Sequence, residues 1–203
     1  MLAETPTDDG LAAALARWPA AVQGELRRRR ALVDAAISAR PGPSPAIGPR
    51  ILDLAEPDAR ALVRAAASTA GLSAGATAAD VPPGGYDAVI SIAALVAFAD
   101  LAAALRGIDH LLAPTGELHL VEPVLRPGWR GMVESSPANA VPGLREVHLG
   151  RDVPQVVRAT GLLISDITRF TMPTSLWPLR PFVHARAIRF PEATAAGAPE
   201  VAS

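Results

Sequence analysis

The sequence predicts an α/β sandwich: a mostly parallel sheet with helices on both faces and an antiparallel last strand. Three observations point there. Short β-rich runs such as "YDAVISI" (Tyr86–Ile92) alternate with helical stretches such as residues 101–112. The last two runs, residues 162–170 and 182–190, have no helical pattern between them, so they are expected to pair antiparallel. A chain of 203 residues, 50% hydrophobic and 19% charged, suits one compact core.

The elements follow in order. From residue 11 to 40, Leu11, Leu15, Trp18, Val22, Leu26 and Val33 recur at spacings of three, four or seven, the apolar stripe of a helix. Pro19 interrupts it, which predicts a kink or two helices. "RRRR", Arg27 to Arg30, reads as a solvated face beside Glu25 and Asp34, in preference to a phosphate-binding patch. The proline-rich residues 41–49 read as a stiff linker.

Residues 50–54 are then a strand, and 58–70 a helix with Leu62 and Val63 inward. Residues 86–92 are a buried strand, and 101–112 a helix stopped by "APTG". A strand at 117–121 follows. Residues 152–160 form a short helix that Asp152 can cap and Gly161 ends. The two last strands come next, and residues 191–203 lack periodicity and read as a frayed tail. The expected organisation is thus a helical segment over 1–40, a linker over 41–49, one α/β domain over 50–190 and a disordered tail.

Composition excludes several functions. Net charge is −1, which leaves no basic excess for displacing counterions from nucleic acid. All 19 basic residues are arginine, so lysine chemistry is absent, and the lack of cysteine removes thiol nucleophiles and zinc thiolates. The longest nearly apolar run, residues 88–99, is shorter than the roughly 20 residues a bilayer span needs, so no membrane partner is expected. The N-terminus is acidic and polar where a secretory signal is basic and then apolar, which makes the expectation cytoplasmic.

Three stretches carry a family likeness. "RILDL" (residues 50–54), residues 84–123 ending in "VEP", and "VHLGRDVPQVVRATGLLISDITRF" (residues 147–170) together resemble the class I S-adenosylmethionine-dependent methyltransferases, in particular the small-molecule branch called methyltransferase type 11. The likeness implies a Rossmann-like methyltransferase sandwich, S-adenosylmethionine as cofactor and a small-molecule acceptor. On the cofactor side it places Asp53 at the end of the first strand, Ala55 and Glu56 in the loop after it, Asp80 in a loop near the adenine, and Ser91 at the end of the 86–92 strand.

Two departures stand out. Where the family has Gly-x-Gly-x-Gly, this chain has Ala55, Pro57 and Ala59. Glycine tolerates positive φ and lets backbone approach a ligand; alanine adds a methyl group, and proline fixes φ and deletes an N–H. Glu56 adds negative charge beside the place of the cofactor's carboxylate. The second departure is length. A strand–helix–strand unit takes about 30 residues, so residues 55–85 hold room for one crossover where the family needs two. No ribose-binding carboxylate is visible there, and residues 72–77 offer one poor strand or none. Each unpartnered polar group costs about 1–3 kcal/mol, so cofactor binding is expected to be weakened or lost.

Candidate catalytic residues are Glu122, at the carboxyl end of the 117–121 strand where open α/β sheets bind ligands, and His148, able to act as a general base near neutral pH. An exposed loop acid and a surface or capping histidine are the plainer readings of the two. His110, His119 and His184 lack the close spacing of a metal site, and Ser91 lacks the surroundings of a hydrolase nucleophile. Trp18, Trp129 and Trp177 read as packing aromatics or a pocket cover. Three functions remain open: a working methyltransferase, a non-catalytic relative that binds a protein partner, and a fold reused for another small-molecule reaction.

Overall fold

The structure, a computed structural model, describes residues 8–40, 48–70, 84–124, 147–149, 151–175 and 179–189. Asp80, Trp129, Trp177, the 72–77 stretch, most of the 41–49 segment and the 191–203 tail lie outside the described residues.

Pro19 splits the N-terminal helical stripe into α1 (Asp8–Leu15) and α2 (Ala20–Ser38). There follow β1 (Ile51–Asp53), α3 (Pro57–Ala70), β2 (Tyr86–Ile92), α4 (Leu101–Leu111), β3 (Leu112–Pro123), α5 (Val153–Ala159), β4 (Leu162–Thr171) and β5 (Pro181–Arg189). The five strands lie in the order β1-β2-β3-β5-β4. β1, β2 and β3 pair in parallel, and β5 inserts antiparallel between β3 and β4. β4 thus runs in the same sense as β1 to β3, and the last strand alone is reversed.

Side-chain alternation along the strands sorts the core into two layers. Val89, Leu118, Leu120, Val183, Ala185 and Ala187 meet Val63 and Ala66 of α3, Leu105 and Ile108 of α4, and Val153 and Val157 of α5. Ala88, Ile90, Ile92, Val121 and Phe182 meet Leu15 of α1, Trp18, and Val22, Leu26, Val33 and Ile37 of α2. The arrangement follows from direction. β1 to β2 and β2 to β3 are both steps toward the same edge of the sheet. Crossovers of one hand that move one way lay their helices on one face, so α3 and α4 are neighbours. Gly107 of α4 allows the contact, because a Cβ there would strike the backbone carbonyl of Val63 in α3. The opposite face has no crossover helix among the described residues, and α1 and α2 cover it.

One expected boundary moves. "APTG" does not end α4 in a free turn: the helix passes straight into β3, and Ala113 to Gly116 form an irregular excursion between the pairs Tyr86–Leu112 and Ala88–Glu117. Asp100 caps α4 by accepting the Ala103 N–H at 2.9 Å, and Asp152 caps α5 by accepting the Gln155 N–H at 3.2 Å.

Two ion pairs fasten α2 to the sheet. Arg30 reaches Asp53 at the carboxyl end of β1, and Arg40, just past the helix, reaches the buried Glu117 of β3. At 1.5 Å per residue the anchors are about 15 Å apart, so the helix is pinned across three strands. "RRRR" is therefore not a uniform solvated face. Arg28 pairs with Glu25 as expected, but Arg29 also stacks on the Phe170 ring, 3.9 Å from its centroid, and Arg30 is 7% exposed. Trp18 is buried edge-on to Phe182, its ring centroid 6.0 Å away, as a packing aromatic.

Candidate functional site

The carboxyl ends of β1, β2 and β3 hold most of the residues the sequence singles out. Asp53 ends β1 and is 4% exposed. One carboxylate oxygen takes the Arg30 guanidinium, and the other accepts the Ala55 N–H at 2.9 Å. Arg30 also donates to Asp34 at 2.8 Å. Burial alone would weaken the charge on Arg30; Asp53 and Asp34 outweigh that and hold it more firmly protonated.

The turn after β1 is an ordinary one. Ala55 is buried, the Glu56 N–H donates to the Asp53 carbonyl at 3.1 Å, and Pro57 opens α3, where its missing N–H is no loss. Among the described residues positive φ occurs at Gly84, Gly161 and Ala93 only, so no residue from Leu54 to Ala59 takes the backbone form for which such a loop uses glycine. Arg60 closes the turn from the α3 side, donating at 2.7 Å to the carbonyls of both Leu54 and Ala55. The Glu56 carboxylate lies against Gly10 in the first turn of α1, where a Cβ would collide with it. One of its oxygens is buried without a hydrogen-bond partner.

Ser91 and Glu122 meet. Glu122 is fully buried on β3; its Oε1 accepts the Ser91 hydroxyl at 2.5 Å and the N–H groups of Ala94 and Leu95 at 3.0 and 3.1 Å. Its Oε2 is buried and unpartnered. Desolvation pushes this carboxyl up to about 7, against the opposing pull of the Ser91 hydroxyl and the turn's N–H groups. The turn itself is strained, with Ala93 at φ 52°. This is not the exposed loop acid of the plainer reading.

His148 lies on the same edge but apart. It is exposed, and its backbone N–H donates to the Val96 carbonyl at 2.9 Å. Burial and then the nearby Arg151 lower its pKa, which favours a neutral imidazole. Among the described residues no hydrogen bond joins His148 to Glu122. Arg151, in the same "HLGRD" stretch, fixes the loop after β2 through the carbonyls of Phe98 and Ala99, at 2.5 and 2.6 Å.

Two features escaped the sequence reading. Arg30 had a signal: it stands four residues after Leu26 and three before Val33, inside the apolar stripe. Ala93 had none, because alanine does not announce a left-handed backbone.

The residues do not fit S-adenosylmethionine in the way the likeness implies. Asp53 is neutralised from within, Glu56 faces α1, and the turn offers no glycine cradle. Nor do the described strands contain the reversal of direction beside which open α/β sheets form their ligand crevice, since β1, β2 and β3 succeed one another toward one edge.

No family model and no curated protein matches the chain. Similar solved structures do exist. The [4+2]-cyclase SpnF shares 17% identity, with 81% of this chain and 80% of that chain covered and a TM-score of 0.49. A putative methyltransferase in complex with the Trm112 methyltransferase activator of Haloferax volcanii shares 14%, covering 92% and 100%, with a TM-score of 0.46. An arsenic(III) S-adenosylmethionine methyltransferase from Chlamydomonas reinhardtii shares 19%, covering 55% of this chain and 40% of that one, with a TM-score of 0.40. By its own strand order, with parallel β1 to β3, a single reversed last strand inserted before β4 and helices on both faces, the described part of the chain has a mostly parallel, Rossmann-like α/β fold.

Proposed function

We propose that this is a methyltransferase-like protein that has lost S-adenosylmethionine binding and works without methyl transfer, as a subunit that binds a protein partner. One observation carries the reading: the acid that ends β1, which the family likeness assigns to the cofactor side, is filled by Arg30 of the chain's own α2. A ligand entering there would have to break a buried ion pair, at a cost of about 3–5 kcal/mol. The turn geometry and the one-way succession of the described strands β1, β2 and β3 support the same conclusion.

Calorimetric titration with S-adenosylmethionine and its homocysteine product tests it. The expected result is no heat at millimolar ligand. Binding tighter than about 100 µM, roughly −5.5 kcal/mol, overturns it. The partner half is tested by sizing the protein in native extract, where it is expected in a larger complex; a monodisperse monomer counts against it.

A second reading has its own support. Glu122, fully buried beside a strained turn with a carboxyl near neutrality, has the character of a general acid or base serving a different small-molecule reaction. In that case Glu122→Gln abolishes the turnover found, whereas His148→Ala is the decisive variant if the histidine is the base.

A further inference from the structure

The hydrogen bonds around Glu122 are lopsided. Oε1 collects three donors, while Oε2, equally buried, has none among the described residues. The donors on Oε1 favour the carboxylate, and the bare Oε2 resists it, since a buried charge without a donor is costly. Two of the three donors come from the turn that begins at the left-handed Ala93, whose own N–H is held by the Val121 carbonyl at 2.8 Å. That turn continues as a short 3-10 segment, Leu95–Ala97. The stretch carrying His148 and Arg151 hangs from it through the carbonyls of Val96, Phe98 and Ala99.

We propose that the turn at residues 93–99 and the strap at residues 147–149 and 151–152 form one conformational unit whose closure depends on whether Glu122 carries its proton. With the proton on, Glu122 is neutral and the turn stays closed over it. With the proton off, Oε2 needs a donor, and the strained turn, which already donates to Oε1, moves to supply one or to admit water. The strap moves with it.

Among the described residues the groups facing Glu122 from neighbouring elements are few, and the turn adds the Val96 N–H to those of Ala94 and Leu95 as a group that favours the carboxylate. β2 contributes Ser91, and β5 places the apolar Val183 opposite. Asp100 and Asp152 are engaged as the caps of α4 and α5, and Arg151 is engaged with the turn's carbonyls. Asp53 of β1 is neutralised by Arg30. His148 on the strap titrates in a similar range, so it must be separated by experiment. The inference does not depend on whether the fold binds a cofactor.

Amide hydrogen exchange on the full chain between pH 5.5 and 8.5, corrected for intrinsic exchange, reads it out. The amides of residues 94–98 and His148 are expected to lose roughly tenfold or more in protection across neutrality, while those of α4 stay constant. Glu122→Gln should flatten the dependence, and His148→Gln should leave it in place. If Glu122→Gln does not fold, Ser91→Ala serves: loss of a donor that favours the carboxylate should move the midpoint to higher pH. A turn whose protection follows α4 at every pH overturns the proposal. So does a dependence that survives Glu122→Gln, vanishes in His148→Gln, or keeps its midpoint in Ser91→Ala.

Discussion

Arg30 shows how much one position can change. It sits where an apolar residue would continue the stripe of α2, and it carries into the core a charge that Asp53 and Asp34 satisfy. Arg30→Met should cost about 3–5 kcal/mol in urea unfolding, because Asp53 is left buried and unpaired, and Arg30→Met with Asp53→Asn should recover much of that. Ala93→Gly should do the reverse and gain about 1 kcal/mol, since a left-handed alanine costs about 1–2 kcal/mol that glycine avoids in part. The sequence made Glu122 and Ser91 legible through their places at strand ends. It concealed Arg30 among four arginines, where only its register with Leu26 and Val33 distinguishes it, and it could not reveal the conformation of Ala93.

At the scale of elements, β3 carries two buried titratable groups with opposite pH behaviour. His119, pushed down to about 4 by burial and by Arg40, Arg186 and His184, stays neutral beside Glu117 at 3.3 Å, so that contact is not an ion pair at neutral pH. Its folded pKa is depressed, so its contribution to stability is lost as pH falls from 6.5 toward 4. Glu122 is raised from 4.5 to about 7, so its contribution is lost as pH rises through that window. Each slope is about 1.4 kcal/mol per pH unit, and where the windows overlap they oppose. Urea midpoints should therefore be nearly flat between about pH 4.5 and 6.5 as far as these two groups decide it, and Glu122→Gln should expose a rising slope. Periodicity gave the strands and helices to within a residue or two at β2, α3 and α4. It missed the start of β3, because "APTG" carries every mark of a turn while pairing with β2 resumes only at Glu117.

For the whole molecule, the direction of the crossovers matters more than the loop. The length of residues 55–85 led to the expectation of one crossover in place of two, and among the described residues β1 abuts β2, α3 and α4 lie on one face, and an N-terminal pair covers the other. Restoring glycine at Ala55, Pro57 and Ala59 together should accordingly not restore S-adenosylmethionine binding, with calorimetry still showing no heat at millimolar ligand. Heat in that variant would put the fault in the loop alone. The covering pair also imposes an order on synthesis. Trp18 leaves the ribosome 164 residues before Phe182, the ring it packs against. At ordinary elongation rates Trp18 waits roughly 10–30 s for that ring, while Ala88, Ile90 and Ile92 of β2, in the same layer, are made well before it. Until Phe182 arrives the stripe is covered only in part, a natural target for a chaperone.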